Sequence, residues 1–240
     1  MTARTSVIAL PAVFLLTGCA LLGLHRSSWE HQKWEDVASR TAHLVLDDGS
    51  AAVQHSTGLL LDDGLVLTCH HSFRRWQKGE AFDVFVDGKR YRGKLGPFDS
   101  THDLALVNLF GTRTPPQPGP LRLTREAPSY GSRIVVLGFP INPVRSGGPP
   151  VPQFGLMGDN RATIDAKIEG ERVRLENLLE LTAWAGKGSS GSPVLSADGR
   201  TVGMVVLALR TRGSWSGHTY AVSAAAIADF LADHAGDLYE

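Results

Sequence analysis

From Ala42 onward the chain is written in short runs. AHLVLDDG (42–49), AAVQHSTGLLLDDGLVLT (51–68), AFDVFVDGKRYRGKLG (81–96) and DLALVNLF (103–110) are apolar or alternate apolar with polar positions. A period of two sends neighbouring side chains to opposite faces, which is the signature of a half-buried strand. Three of the runs break at Asp-Gly, the pair that best accommodates a tight hairpin turn. A Pro-rich bridge, GTRTPPQPGP (111–120), interrupts the pattern, because proline removes backbone donors and extends the chain. The runs then resume with RIVVLGFP, GLMGD, ATIDAKI, RVRLENLLELTAW, SPVLSADGRTVGMVVLAL and HTYAVS. Only the tail from Ala224 has a helical period, with Ile227, Phe230 and Leu231 at i, i+3 and i+4. Two groups of about six short strands predict an all-β chain of two antiparallel six-stranded barrels closed by a C-terminal α-helix. Residues 41–113 form the first barrel, 114–122 the linker and 123–240 the second with its helix, and 41–240 together make one domain. The stretch 144–155, rich in Pro and Gly, reads as an inserted lid or exosite loop.

The first forty residues do not share this pattern. MTARTSVIALPAVFLLTGCA has a basic Arg4 and ten residues, Val7 to Leu16, of mainly apolar character. That is too short to cross about 30 Å of hydrocarbon, so residues 1–18 are expected to be a cleaved signal peptide. Leu16-Thr17-Gly18-Cys19 resembles the lipobox of bacterial lipoproteins, which implies acyl chains on Cys19 and stable anchoring to a membrane. Ala20 after Cys19 is compatible with sorting to an outer membrane, with the folded part facing the periplasm. Residues 19–40 would then be the lipidated cysteine and a polar tether with a helical turn or two. Lipid on Cys19 leaves Cys69, the other cysteine, without a disulfide partner. The 24 Lys and Arg balance 24 Asp and Glu, and no basic block occurs, so nucleic acid is excluded as a partner.

Two stretches hold most of the chemistry. GLVLTCHHSF (64–73) ends a strand on adjacent histidines, and GKGSSGSPV (186–194) crowds small residues around Ser190. Glycines let a backbone approach closely, as a turn that exposes a nucleophile and gathers N–H groups must do. Taken alone, such a Gly/Ser turn is as often structural as functional. Together with STHDLALVNL, in the order His, Asp, Ser, the stretches resemble the three motifs of trypsin-like serine proteases of the chymotrypsin fold. The likeness is greatest to the HtrA/DegP bacterial branch, and as a pattern it covers about Ala42 to Leu231.

The resemblance implies roles. Its spacing selects His71, three residues after Thr68, over His70, which is read as a structural neighbour. His71 would be general base and then acid, Asp103 would orient and stabilise its ring, and Ser190 would attack the scissile carbonyl. Asp99, in a turn without a following apolar strand, is the rival carboxylate. The amides of Gly188 and Ser190 would make the oxyanion hole. Trp184, Val206, Ala208 and His218 would line the substrate pocket, favouring small or aliphatic P1 side chains, with His218 offering a weaker case for acidic ones. Ser189 and Ser192 depart from the family: the first removes a carboxylate that could bind a freed N-terminus, the second replaces a glycine. Little chain follows the final helix, so no appended PDZ module is expected.

These expectations amount to a serine endopeptidase acting on protein or peptide substrates, in the envelope or on misfolded chains, with no cofactor and no metal. Cys69, His70, His71 and Asp103 are a poor zinc set, since adjacent histidines seldom ligate one ion. The second reading is a binding scaffold whose active site has lapsed. Oligomeric state is left open.

Overall fold

The computed structural model describes residues 34–234 apart from 48–52, 75, 77–78, 112–113, 119–120, 141–146, 169–170 and 212–213. The expected signal peptide, Cys19 and most of the expected tether therefore lie outside the described residues. Residues 34–40 are helical (α1) and lead into β1 (Thr41–Leu46). With β2 (Gln54–Leu60), β3 (Leu65–Cys69), β4 (Ala81–Val86), β5 (Lys89–Asp99) and β6 (Leu104–Phe110), this strand closes a barrel in the order β1-β2-β3-β6-β5-β4. The local chemistry is as the sequence requires. β4 alternates half-buried and buried residues along its whole length. The turn to β5 places Asp87 and Gly88 at φ +48° and +70°, the two left-handed residues that a tight hairpin of matching twist needs. Leu44, Leu60, Val66, Val84 and Val107 fill the barrel.

The second lobe comprises β7 (Arg133–Gly138), β8 (Val151–Leu156), β9 (Ala162–Ile168), β10 (Glu171–Leu181), β11 (Pro193–Ser196), β12 (Thr201–Thr211) and β13 (Ser214–Ser223), in the order β8-β7-β11-β12-β13-β10-β9. It has seven strands where the pattern suggested about six, and the long β10 changes partner along its length. Its first half pairs with β9 as a hairpin, and after a bulge near Asn177 (φ +55°) its last three residues pair with β13. An isolated bridge between Met157 and Leu181 joins the β8 side back to β10. Part of the expected inserted loop is a strand: β8 pairs with β7 at every residue from Val151 to Leu156. Pro152 is accommodated because β8 is an edge strand, where a missing N–H costs nothing on the open side.

The helix α2 (Ala224–His234) buries Ala224, Ile227, Phe230 and Leu231, the stripe its period defines. Ile227, Phe230 and Leu231 join one apolar core with Leu59, Leu67, Cys69 and Leu104 from the first barrel and Leu195, Met204, Val206 and Val222 from the second lobe. The two lobes are thus packed through a shared core to which β3, β6 and β12 all contribute. No helix among the described residues is long and apolar enough to cross a membrane.

Candidate active site

β3 ends at Cys69 and the chain turns through a 3-10 segment, His70–Phe73, which lifts the two histidines off the barrel. They point to different places. His70 stacks flat on Phe98, with ring centroids 4.1 Å apart, and burial lowers its pKa. His71 turns inward. Its backbone N–H donates to Asp103 Oδ1 at 2.7 Å, and its Nδ1 lies 2.5 Å from Asp103 Oδ2. Its Nε2 lies 2.9 Å from Ser190 Oγ. With the ring proton on Nδ1, imidazole donates to the carboxylate and accepts from the hydroxyl.

Asp103 is buried and sits just before β6 at φ +58°, a conformation that a non-glycine residue adopts only when its surroundings hold it there. The carbonyl of Asp103 accepts from His70 N–H, so both histidine amides help fix the turn that carries the carboxylate. Asp99 is engaged elsewhere. Burial works to raise its pKa, but hydrogen bonds from the His102 ring and the amides of Thr101 and His102 outweigh it and hold the carboxyl low.

Ser190 is carried by a loop of the second lobe. The turn is stitched by Ser189 N–H to Gly186 O, Ser192 N–H to Ser189 O and Gly191 N–H to Val205 O. Gly188 (φ +90°) and Gly191 (φ +85°) take the left-handed conformations it needs, and a Cβ on Gly191 would run into the Thr57 carbonyl. Ser189 Oγ accepts from the Gly186 amide, so this residue closes its own loop. Ser192 is fully buried against Gly138, which has no side chain to obstruct it, and its hydroxyl has no partner among the described residues. Strand β2 holds the loop from the other lobe: Thr57 N–H and Ser56 Oγ donate to the Ser190 carbonyl, and Thr57 Oγ1 donates to the Gly188 carbonyl. Among the described residues, neither the Gly188 nor the Ser190 N–H finds an acceptor in the chain.

The other expected residues are more dispersed. Val206 is buried in the shared core, and Ala208 is half-buried against the second lobe's interior. The Trp184 indole is 42% exposed and lies over Gly186. His218, on β13, is bonded through Nδ1 to the Glu180 carboxylate. Its neighbour Thr219 donates to the Ala183 carbonyl, which ties β13 to the segment carrying Trp184. Sequence reasoning missed Glu180 and the hydroxyl cluster of Ser56, Thr57 and Ser72, whose only signal was an uncommon pair of hydroxyls within a strand.

Cys69 Sγ, a His71 ring nitrogen and an Asp103 oxygen lie within 4.8 Å of one another. They do not suit a metal. The thiol is sealed, donates to the Val205 carbonyl, and is pushed well above its usual pKa by burial and by the Asp103 charge, so it stays protonated. Both His71 nitrogens are already engaged, and three donors fall short of a closed four-ligand site.

A closed β-barrel and a second β-sheet, packed so that His71 and Asp103 of one face Ser190 of the other, define the architecture of trypsin-like serine proteases. The chain belongs to that family: residues 56–204 match the trypsin-like peptidase domain. Over 199 residues, 75% of the chain, it is 28% identical to the magnetosome formation protease MamE of Magnetospirillum gryphiswaldense. The MamE protein of Paramagnetospirillum magneticum is 27% identical over 191 residues. The matched region spans only 22% and 24% of those two relatives. Among solved structures, the active form of the Rv3671c protease from M. tuberculosis superposes with a TM-score of 0.66 at 18% identity, covering 96% of this chain and 93% of that one. The MamO protease domain from Magnetospirillum magneticum gives 0.65 at 20% identity, covering 82% and 98%. At these identities the structural matches speak to fold.

Proposed function

We propose that the chain is an active serine endopeptidase that cleaves protein substrates through an acyl-enzyme. The observation that carries this reading is the continuous hydrogen-bonded line from Asp103 through His71 to the Ser190 hydroxyl, beside two amides with no acceptor among the described residues. A serine hydroxyl is a weak nucleophile unless a base takes its proton as the new bond forms, and His71 Nε2 is within reach to do so. The proton then passes from His71 to the leaving amine, and water repeats the sequence on the ester. Asp103 holds the ring in the tautomer that leaves Nε2 free and stabilises the transient imidazolium. The amides of Gly188 and Ser190 receive the charge that develops on the carbonyl oxygen, each contributing about 3 kcal/mol to the barrier reduction in comparable sites.

Lipid on Cys19 would confine this activity to a membrane surface of the bacterial envelope, outer membrane favoured, with unfolded or envelope proteins as substrates. The decisive test is labelling by a fluorophosphonate probe. Wild type should react and Ser190→Ala and His71→Ala should not, while a folded wild type that stays unlabelled would leave the scaffold reading in its place.

A further inference from the structure

We propose that Thr57 is a positioning residue for the oxyanion hole: its hydroxyl, reaching across from the first barrel, pins the Gly188 peptide so that the amide of that glycine is held ready for a carbonyl oxygen. The inference rests on the proposed protease reading and extends it to a residue outside the triad.

Thr57 is fully buried, and every polar group it has is committed at the lobe boundary. Its N–H donates to Ser190 O at 2.8 Å, and its carbonyl accepts from Thr68 Oγ1 at 2.6 Å. Its hydroxyl donates to Gly188 O at 2.7 Å and accepts from Phe139 N–H at 3.0 Å. A single side chain from β2 thus holds two separate segments of the second lobe, the nucleophile loop and the corner after β7. Ser192 Oγ, buried in the same corner, makes no hydrogen bond among the described residues, so it does not share the task in this structure.

The need for a pin follows from glycine. The Gly188 N–H belongs to one peptide plane and its carbonyl to the next, and the two are connected only by the φ and ψ of a residue that crosses between positive and negative φ at little cost. At φ +90° nothing intrinsic to Gly188 keeps that setting. Fixing the carbonyl plane, with Thr57 on its oxygen and Gly186 O on its Ser189 N–H, removes the freedom that would let the amide swing away. Preorganised donors lower a barrier because they need no rearrangement at the moment of reaction. The contribution of Thr57 is therefore to the transition state and not to ground-state binding.

The test compares full-length wild type with Thr57→Val, which keeps the shape and removes the hydroxyl, and Thr57→Ser, which restores it. Hydrogen exchange of the Ser189, Gly191 and Ser192 amides should accelerate about tenfold in Thr57→Val, while amides of the distant β4–β5 hairpin stay unchanged and the serine variant returns to wild-type rates. The fluorophosphonate labelling rate, which depends on an oxygen seated at the same amides, should fall about 10- to 100-fold in the valine variant, less than the loss seen when a donor itself is removed, and recover in the serine variant. Unchanged loop exchange in Thr57→Val overturns the inference, as does acceleration spread equally through the β4–β5 hairpin, or failure of serine to restore the loop. Should wild type not label at all, the protease reading falls, and the exchange comparison still decides whether Thr57 sets the loop.

Discussion

Burial, with His55 beside it, holds the His43 imidazole down to about 4. His43 lies on β1 with its ring stacked on Phe139 at 4.6 Å, its Nε2 bonded to His55 Nδ1, and its Nδ1 buried without a partner among the described residues. The linkage has a definite sign. Between the ordinary value of 6.5 and about 4 the unfolded chain binds a proton that the folded chain refuses, so stability falls as pH drops through that window. At pH 5 the loss from this residue is about 2 kcal/mol, so the thermal midpoint should fall further between pH 7 and pH 5 in wild type than in His43→Gln. Equal slopes in the two proteins would contradict this account. At the proposed substrate pocket, His218 is already paired with the Glu180 carboxylate and not free to meet an acidic side chain, so a cleavage profile on a peptide library should show small or aliphatic P1 residues. Arg, Lys, Asp or Glu dominating at P1 would reject that pocket. Residue chemistry alone does not distinguish His70 from His71. The spacing from Thr68 does, and it is His71 that meets Asp103 and Ser190. Thr57 was illegible because its partners are 82 and 131 positions away, and nothing local marks a hydroxyl for such use.

Elements were legible where a local rule decides them. The Asp87-Gly88 turn and the α2 stripe follow from turn chemistry and helical period, and both occur as the pattern requires. The misread part of the 144–155 stretch shows the limit. Pro and Gly suggest a loop, yet an edge position tolerates both, and whether a strand lies at an edge depends on its neighbours in space. The twofold use of β10 was hidden for the same reason, since a long apolar run does not reveal that its halves pair with different partners. The α2 helix gives a stability prediction. Leu231 is fully buried in the core shared by both lobes, so Leu231→Ala should cost about 3 kcal/mol in urea unfolding, a typical figure for a core leucine. A change below about 0.5 kcal/mol would mean that the helix is not part of that core.

At the scale of the whole molecule, the expected lipid on Cys19 can be tested directly. Cells fed an alkynyl fatty acid should yield a labelled product, and Cys19→Ser should abolish the label. Retention of label in that variant would exclude this cysteine as the attachment point. The fold class was readable from strand-length runs and turns, whereas the docking of the lobes was not, because the shared core is assembled from residues far apart in sequence.

The bond between His71 and Ser190 joins positions 119 residues apart, one on each lobe. If the chain is exported and cleaves as proposed, its base and its nucleophile cross the membrane in pieces that have not yet met. Cutting would then arise only once the last-made half has folded against the first, so the architecture would itself protect the export machinery from a destructive cargo still in transit.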